Sequence, residues 1–363
     1  MQNHAFLELK GLSKSFHDFT ALHPIDLNVS EGEFLTIVGP SGSGKTTLIK
    51  LLVGMEEQSA GTITLRGKRL DTLPANKRPT CMVFQSLALF PHRSVGENIE
   101  FPLKIKGVNV DARRKRAEEL LELFRLPQDF YNKRISECSG GERQRIALAR
   151  ALAFDPEILF FDEPLSALDY RLRKTLEKEL KSLHLRTGKT FVYITHSLEE
   201  AMVMSDRIAI LRTGKFEQIG PAHEIYSRPK SRFVAEFMGD VNLFDMRESS
   251  NAQVQIDGIN RVNINPSELL TAQGKQNLLM VRPEKVEFLK HDSTADFEID
   301  GEISAEYMLG SRTQYEVTTS SGKIISVECS SSSGPFRDEA VSSGRIRLGF
   351  ALDHCHMIAE PAV

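Results

Sequence analysis

The segment Gly39–Thr46, with the sequence GPSGSGKT, constrains the fold of this chain more than any other. It fits the phosphate-loop pattern G-x-x-x-x-G-K-[ST], in which a strand runs into a glycine-rich turn and then into a helix. The apolar run Phe34–Val38 precedes it and the helix-like stretch Thr46–Val53 follows it, so the context is the required one. Backbone N–H groups and the helix N-terminus of such a loop face an anion. The sequence therefore predicts a nucleoside triphosphate site on an α/β domain.

The residues of this loop have separate expected roles. Lys45 is expected to reach the β- and γ-phosphates of ATP, and the Thr46 hydroxyl to bind Mg²⁺. The alternative is a glycine-rich turn that matches the pattern by chance, but the flanking strand and helix argue against it. The loop residues that we expect to contact ATP are Gly39, Pro40, Ser41, Gly42, Ser43, Gly44, Lys45, Thr46 and Thr47.

Two acids follow a second apolar run, Ile158–Phe161. A carboxylate at a strand end beside a phosphate loop would orient Mg²⁺ or its waters, which is the role predicted for Asp162. The next carboxylate, Glu163, is predicted to be the general base that polarises the attacking water. A solvated strand end is the alternative interpretation of both acids.

His196 stands directly after a third apolar run, Phe191–Thr195. The segment Ser197–Glu200 then has the form of a capping box, which would start a helix at this point. A histidine at such a strand–helix junction lies at the edge where α/β proteins bind their ligands. We therefore predict that His196 contacts the γ-phosphate, with a purely structural histidine as the alternative.

The pattern and the charge of the chain change near residue 239. Over residues 1–238, short apolar runs alternate with helical periods, which predicts an α/β domain with a largely parallel sheet and a helical subdomain at about 98–155. Residues 239–363 show short alternating segments and predict a β-rich domain, a compact OB-like barrel. Residues 241–363 hold 11 Lys and Arg against 18 Asp and Glu, a balance of −7, and the whole chain carries −3. We therefore expect no nucleic-acid partner.

Three further sequence features bear on the expected cellular location of the protein. Because no apolar run reaches about eighteen residues, no membrane-spanning segment is expected. The N-terminus lacks the basic and apolar regions of a signal peptide. The four cysteines have no metal-clip spacing, which favours thiols without disulfides in a reducing cytoplasm.

The segment Cys138–Arg145, with the sequence CSGGERQR, lies between these motifs. It resembles the signature motif of the ATP-binding cassette family, the ATPase subunits of ABC transporters, and the resemblance covers the N-terminal two thirds of the chain. Gln85 matches the family's Q-loop glutamine, and Ser166–Asp169 matches its D-loop. The resemblance implies that Gln85 binds Mg²⁺ and the nucleotide, and that Phe16 stacks on adenine. It adds Ser139, Gly140, Gly141 and Asp169 to the expected ATP-binding residues.

This signature motif departs from the family's common L-S-G-G-Q at two positions. Cys138 replaces the leucine and Glu142 replaces the glutamine, while the serine and both glycines are intact. Ser139 and Glu142 have the spacing of a capping box for the helix that follows. We therefore expect Glu142 to point back to its own backbone rather than toward a phosphate.

The resemblance also implies partners. It predicts a head-to-tail dimer with a second copy of the chain, in which each ATP lies between the phosphate loop of one subunit and the signature helix of the other. Two transmembrane permease subunits would hold the dimer at the cytoplasmic face of the inner membrane as a peripheral protein. An extracytoplasmic solute-binding protein would act with them indirectly.

The C-terminal region narrows the resemblance within the family. Met280–Glu284 and Tyr307–Gly310 resemble the regulatory barrel of an importer subfamily that serves maltose-type sugars, polyamines, ferric iron and sulfate. The stretch Phe233–Phe244 looks most like the polyamine-type members. Importers of ferric iron, sulfate, sugar or phosphonate are the alternatives, because the ATPase does not touch the solute.

Two other segments have open interpretations. Gln85–His92 resembles the family's permease-docking region, although packing into the core is an equally good explanation of Leu87 and Leu89. The basic run Arg113–Arg116 is interpreted as a solvated helix face rather than a nucleic-acid patch.

Two other classes of protein compete with the importer. A soluble ABC ATPase acting on DNA or ribosomes usually carries two cassettes or a long coiled coil, and this chain has one cassette and no heptad run. A phosphate-loop kinase is disfavoured by the signature motif and by the glutamate after Asp162.

Overall fold

Two units make up the protein, and they divide between His223 and Glu224. The computed structural model describes residues 6–248, 254–264, 275–290, 292–331 and 345–361. The strands of the first unit are β1 (Leu7–Phe16), β2 (Phe19–Val29), β3 (Phe34–Val38), β4 (Ala60–Leu65), β5 (Lys68–Arg69), β6 (Thr80–Val83), β7 (Ile158–Asp162), β8 (Thr190–Ile194), β9 (Arg207–Arg212) and β10 (Lys215–Pro221). Its helices are α1 (Lys45–Val53), α2 (Val95–Ile105), α3 (Val110–Leu123), α4 (Gly140–Leu152), α5 (Tyr170–Thr187) and α6 (Leu198–Met204).

A six-stranded sheet of order β10-β9-β3-β8-β7-β6 forms the centre of the first unit. Strands β6, β7, β8, β3 and β9 are parallel, and β10 is antiparallel to β9. Every residue of β3 and β8 is buried, as expected of strands covered on both faces. The prediction of an α/β domain with a largely parallel sheet is confirmed.

An antiparallel sheet of order β2-β1-β4-β5 packs with α1 over one part of this core. The helical subdomain contains α2, α3 and α4, whose buried leucines join the core on the other side of the central sheet. Helix α2 begins with a complete capping box between Ser94 and Glu97.

The basic run at the start of α3 is paired locally. Arg113 bonds to Glu100 at 3.1 Å, Arg114 to Glu118 at 3.0 Å, and Arg116 to Glu119 at 3.1 Å. Arg116 also donates to the carbonyls of two residues that follow α4 or end it. These pairings support the interpretation of the run as a helix face.

The second unit is β-rich, as predicted. In the described part of this unit, the strands form two antiparallel sheets, of order β12-β11-β14-β20 and β15-β19-β16-β17-β18, with β13 paired to β16. An apolar core draws on strands of both sheets and includes Phe244, Leu279, Phe297 and Val317. The elements are α7 (Ala222–Ser227, at the division), α8 (Arg232–Phe237), β11 (Asn242–Glu248), β12 (Val254–Ile256), β13 (Arg261–Val262), β14 (Lys275–Val281), β15 (Glu287–Phe288), β16 (Phe297–Met308), β17 (Arg312–Thr319), β18 (Ile324–Ser330), β19 (Arg345–Phe350) and β20 (Cys355–Pro361).

The units divide earlier than the predicted domain boundary at 238/239, and one arginine explains the difference. Arg282 is buried and donates to the carbonyls of Tyr226, Ala235, Gly239 and Asp240. A guanidinium satisfies several carbonyls at once because its five N–H donors are fixed in one plane. The helical stretch after residue 223 is thereby fastened to the β-rich unit.

Two features of the chain that were predicted from the sequence are the state of its cysteines and the lack of a membrane-spanning segment. The four cysteines are all thiols without disulfide partners. Within the described ranges, no helix is both long enough and apolar enough to cross a membrane.

Candidate functional site

Four adjacent strands of the central sheet deliver the parts of the site. In the order β3, β8, β7, β6 they lead into the Gly39–Thr46 loop, His196, Glu163 and Gln85. Because these strands are parallel, their carboxyl ends meet at one edge of the sheet, where α/β proteins bind ligands. The sheet order alone therefore brings together residues that lie up to 157 positions apart, from 39 to 196.

The phosphate loop borders a cleft of 340 Å³. The backbone shape of the loop needs glycine at two positions. A Cβ on Gly39 would lie 2.0 Å from the carbonyl oxygen of Leu211, and Gly44 has a φ of +104°. The cleft is lined by Phe19, Ala21, Ser41, Gly42, Ser43, Gly44, Lys45, Thr46, Thr47 and Glu163.

Lys45 is held inside this loop. Its side chain is buried, and Nζ donates to the carbonyls of Gly39 at 2.7 Å and Pro40 at 3.0 Å. Burial lowers the pKa of Lys45, and the charges of Glu163 and Asp162 oppose that shift. An ammonium has three donors, so these two bonds leave one for a phosphate oxygen.

The loop also contains an unsatisfied hydroxyl. Ser43 Oγ is buried and has no hydrogen-bond partner among the described residues. A buried hydroxyl without a partner costs free energy, and a phosphate oxygen is an acceptor that would satisfy it. The loop thus fits the phosphates that its sequence predicts.

The two acids after β7 have different environments. Burial raises the pKa of Asp162, and the neighbouring charge of Glu163 adds to that shift. Glu163 lines the cleft and has a φ of +47°, a left-handed conformation that is strained for a residue with a side chain. Its N–H donates to the carbonyl of Ile194 at 2.9 Å, which ties this strained residue to the end of β8.

His196 meets Glu163 directly. Its Nδ1 lies 3.0 Å from Glu163 Oε2, and its side chain is 62% exposed. Nδ1 is thus the ring nitrogen that faces this carboxylate, which in its ionised form can only accept a hydrogen bond. The two residues predicted to act on the attacking water and the γ-phosphate are therefore hydrogen-bonded to each other.

Gln85 is linked through Ser166 to the loop that follows β7 and contains Glu163. Its Nε2 donates to Ser166 Oγ at 3.0 Å, and that hydroxyl donates to the carbonyl of Glu163 at 2.9 Å. This relay links the Q-loop to the backbone of the proposed base. The role of Ser166 was not predicted, although its place between Glu163 and Asp169 would have made it a candidate.

The bend after Gln85 is stabilised by hydrogen bonds from Arg150 of α4. Leu87 and Ala88 have φ values of 60° and 47°, and Arg150 of α4 donates to both of their carbonyls at 2.7 Å. Leu87 and Leu89 are partly buried against the core, which supports packing as their role.

The signature segment forms the start of α4. Ser139 Oγ accepts from Glu142 N at 3.3 Å, and Glu142 accepts from Ser139 N at 2.7 Å. The predicted capping box is confirmed, and the bond from the Ser139 N–H lowers the pKa of Glu142. Cys138 is buried in the core, where it packs as a small apolar residue in the position of the family's leucine.

Two contacts connect α4 to its neighbours. Gly141 packs closely on α5, since a Cβ there would lie 3.0 Å from a methyl of Leu172. Gln144 is buried and donates to the carbonyl of Pro164 at 3.2 Å. The signature helix is thus bonded to the residue that follows Glu163, a link that no sequence motif signalled.

Several of the expected ATP-binding residues do not line the cleft, namely Phe16, Gly39, Pro40, Gln85, Ser139, Gly140, Gly141 and Asp169. Phe16 is half-exposed beneath Lys14, whose Nζ lies 4.6 Å from the ring centroid. Its cross-strand neighbour Phe19 is 64% exposed and lines the cleft instead. Asp169 caps α5 by accepting from Leu172 N at 3.0 Å. Phe19 could have been found as the second aromatic residue of the same hairpin.

Only one of the two hydrogen bonds of the expected capping box is present at the start of α6. Ser197 Oγ accepts from Glu200 N at 3.2 Å, but the Glu200 carboxylate does not return the bond. It accepts instead from the hydroxyls of Tyr193 and Thr195, because the side chain is buried beneath β8 rather than exposed beside the helix start.

Comparison with known proteins places this geometry in a family. The family profile described as ABC transporter matches residues 22–166, and the TOBE domain profile matches residues 279–358. The chain is 48% identical over 240 residues to the spermidine/putrescine import ATP-binding protein PotA of Roseobacter denitrificans, covering 66% of each protein. It is 40% identical over 328 residues to PotA of Thermotoga maritima, covering 88% of this chain and 89% of that protein.

A solved structure shares the fold of the first unit. It is a dimeric ATP-binding cassette in a post-hydrolysis state bound to ADP and Pi, 33% identical to this chain with a TM-score of 0.52. The match covers 60% of this chain and 98% of that one. Fold and site together define a phosphate-loop ATPase. More narrowly, the chain belongs to the family of ATP-binding proteins of ABC transporters, with a β-rich TOBE domain at its C-terminal side.

Proposed function

We propose that this ATPase powers polyamine uptake as a subunit of an ABC importer with separate permease subunits. The observation that carries the enzymatic part is the phosphate-loop cleft with Glu163 on its wall and His196 bonded to that carboxylate. The assignment of polyamines as the solute is supported by the relatives, which are named for spermidine and putrescine import. Ferric iron, sulfate, sugars and phosphonates are the competing solutes.

Three oxygen-bearing side chains would hold Mg²⁺ at this site: the hydroxyl of Thr46, the amide oxygen of Gln85 and the carboxylate of Asp162. Such oxygens suit a hard cation. When bound, Mg²⁺ would supply positive charge that neutralises the charge developing on the phosphate oxygens. A cation beside Asp162 would also keep that partly buried carboxylate ionised, against the effect of burial on its pKa.

Glu163 would act as the general base. It would take a proton from water as the water oxygen bonds to the γ-phosphorus and the bond to the β–γ bridging oxygen breaks, giving ADP and phosphate. His196 would fix the orientation of this carboxylate through Nδ1. Its Nε2 would donate to the γ-phosphate when the imidazole carries a second proton.

A second copy of the chain would complete each site. The N-terminus of α4 presents Ser139 at the surface and Gly140 behind it, and a helix N-terminus attracts an anion. Bound γ-phosphate would then hold this helix end of one subunit against the phosphate loop of the other. Asp169 would take part in the same interface.

The membrane partners follow from the proposed transport. Two permease subunits would anchor the cassette dimer at the cytoplasmic face of the inner membrane, and an extracytoplasmic solute-binding protein would deliver the solute to them. The acidic second unit would regulate the ATPase rather than bind nucleic acid.

Lys45→Ala tests the nucleotide site. Removing the ammonium removes a charge-assisted bond to phosphate, worth about 1.5–3 kcal/mol, so ATP affinity is expected to fall by about 10- to 150-fold. Isothermal titration with ATP and Mg²⁺ measures the change. Lys68→Ala, at an exposed strand position, is the matched control and should bind normally. Unchanged affinity in Lys45→Ala would exclude this loop as the phosphate site.

Uptake measurements test the solute. In cells that express this chain with the permease and binding proteins encoded by neighbouring genes, we expect accumulation of radiolabelled spermidine and putrescine. Lys45→Ala should abolish it. Accumulation of sulfate, ferric iron or maltose in place of polyamines would contradict the proposed solute while leaving the ATPase assignment intact.

A further inference from the structure

A buried hydrogen-bond cluster lies under the segment that carries His196. The hydroxyls of Tyr193 and Thr195 both donate to Glu200 Oε2, each at 2.8 Å. Tyr193 is fully buried, and Thr195 and Glu200 are each 2% exposed. A carboxylate is placed in such a position only at a high cost in desolvation, unless its hydrogen bonds compensate. Tyr193 and Thr195 thus compensate this cost by donating to one shared carboxylate oxygen.

The directions of the hydrogen bonds define what the cluster holds. The Thr195 hydroxyl has one proton, and the bond to Glu200 uses it. Its lone pairs are then aimed at Ser197 N–H, which donates to Thr195 Oγ1 at 3.0 Å. The side chain before His196 thus binds the backbone after it, and Glu200 fixes the direction of that bond.

The missing half of the capping box supports this interpretation. A glutamate at the position of Glu200 would stabilise the start of α6 by bonding to Ser197 N–H. Here Thr195 makes that bond, and the carboxylate supports Thr195 from below. Glu200 therefore supports the turn that carries His196 instead of completing the capping box. The imidazole of that histidine reaches Glu163.

We propose that Thr195 and Glu200 are positioning residues for ATP hydrolysis, which hold the His196 turn so that its imidazole meets Glu163 and the γ-phosphate. The inference rests on the proposed role of His196. Neither residue touches substrate, so both act through the imidazole. Their loss should impair the chemical step more than ATP binding, because the phosphate loop is a separate segment.

Thr195→Val removes the proton given to Glu200 and the lone pair offered to Ser197 N–H while keeping the shape of the side chain. We expect kcat for ATP hydrolysis by the full chain to fall about tenfold, as for a modest misplacement of a catalytic group, with KM for ATP within about twofold. Thr195→Ser keeps the hydroxyl and should restore kcat. Tyr193→Phe removes the other hydroxyl from the same carboxylate oxygen and is the matched control, expected within about twofold of wild type. Thr195→Ala is the second variant if Thr195→Val does not fold.

A double-mutant cycle separates this inference from the proposal beneath it. With His196→Ala already present, Thr195→Val should lower kcat no further, since its effect passes through the missing imidazole. If His196→Ala alone hydrolyses ATP at the wild-type rate, the proposed role of His196 fails. If His196→Ala is impaired and Thr195→Val adds its full effect to it, or if Tyr193→Phe is as slow as Thr195→Val, the cluster is structural and the positioning role is wrong.

Discussion

Glu163→Gln is expected to lower the rate of ATP hydrolysis by ~10²–10⁴-fold, the usual contribution of a general base. The amide keeps the size of the side chain but cannot take a proton from water. ATP binding should persist, because the variant leaves unchanged the groups proposed to contact the phosphates, Lys45 and the loop backbone. The decisive result is lost turnover together with retained affinity.

Turnover is measured as phosphate release and binding as titration with ATP, on the full chain. Glu122→Gln, an exposed position on α3, makes the same chemical change far from the cleft and should hydrolyse ATP normally. A wild-type rate in Glu163→Gln would refute its role as the base and make His196 the next candidate.

The same variant should trap the dimer. With the γ-phosphate uncleaved, the two signature helix ends stay docked, so size-exclusion chromatography with ATP should show more dimer for Glu163→Gln than for the wild type. Loss of a negative charge beside the phosphates also favours closure, so the dimer counts as support only when turnover is lost as well.

The central fold and most of the site were predictable because short motifs carry strict backbone requirements. Gly39–Thr46 predicted the strand, turn and helix that the structure contains. The apolar runs before Asp162 and His196 were then enough to predict that both residues lie at the same edge of the sheet. The capping box at Ser139 was predictable for the same reason, since it depends on residues three positions apart.

Contacts between distant segments could not be derived in this way. The bond between His196 and Glu163 depends on β7 and β8 being neighbours and on the left-handed backbone of Glu163. At Glu200 the local pattern predicted a capping box, but burial beside Tyr193 and Thr195 decided where the carboxylate went. Likewise Phe19, and not its cross-strand partner Phe16, is among the residues that line the cleft, and the sequence does not distinguish these two aromatic positions of one hairpin.

The boundary between the units shows the same limit. The sequence changes texture near residue 239, but Arg282 draws the preceding segment to the β-rich unit through carbonyl bonds that span more than forty residues. Backbone carbonyls have no sequence signature, so a partner of this kind is visible only in the folded chain.

Ser139→Arg is expected to abolish ATP hydrolysis while leaving ATP binding to the isolated subunit nearly intact. Ser139 is exposed at the N-terminus of α4 and does not line the phosphate-loop cleft of its own subunit. If its target is the nucleotide of a second copy, a long side chain at this point prevents the helix end from approaching the γ-phosphate. Binding by Lys45 and the loop within one subunit does not involve it.

Two matched variants separate this blockade from simpler effects. Ser139→Ala removes the cap without adding bulk; it should cost about 1 kcal/mol of stability yet keep most of the turnover. Ser136→Arg adds the same side chain at an exposed position just before the motif and should hydrolyse ATP normally. Mixing Ser139→Arg with Lys45→Ala should restore one composite site, because the intact loop of the first variant can meet the intact signature of the second. Collapse of ATP binding in Ser139→Arg alone would place Ser139 in its own subunit's site, and the head-to-tail arrangement would then be wrong.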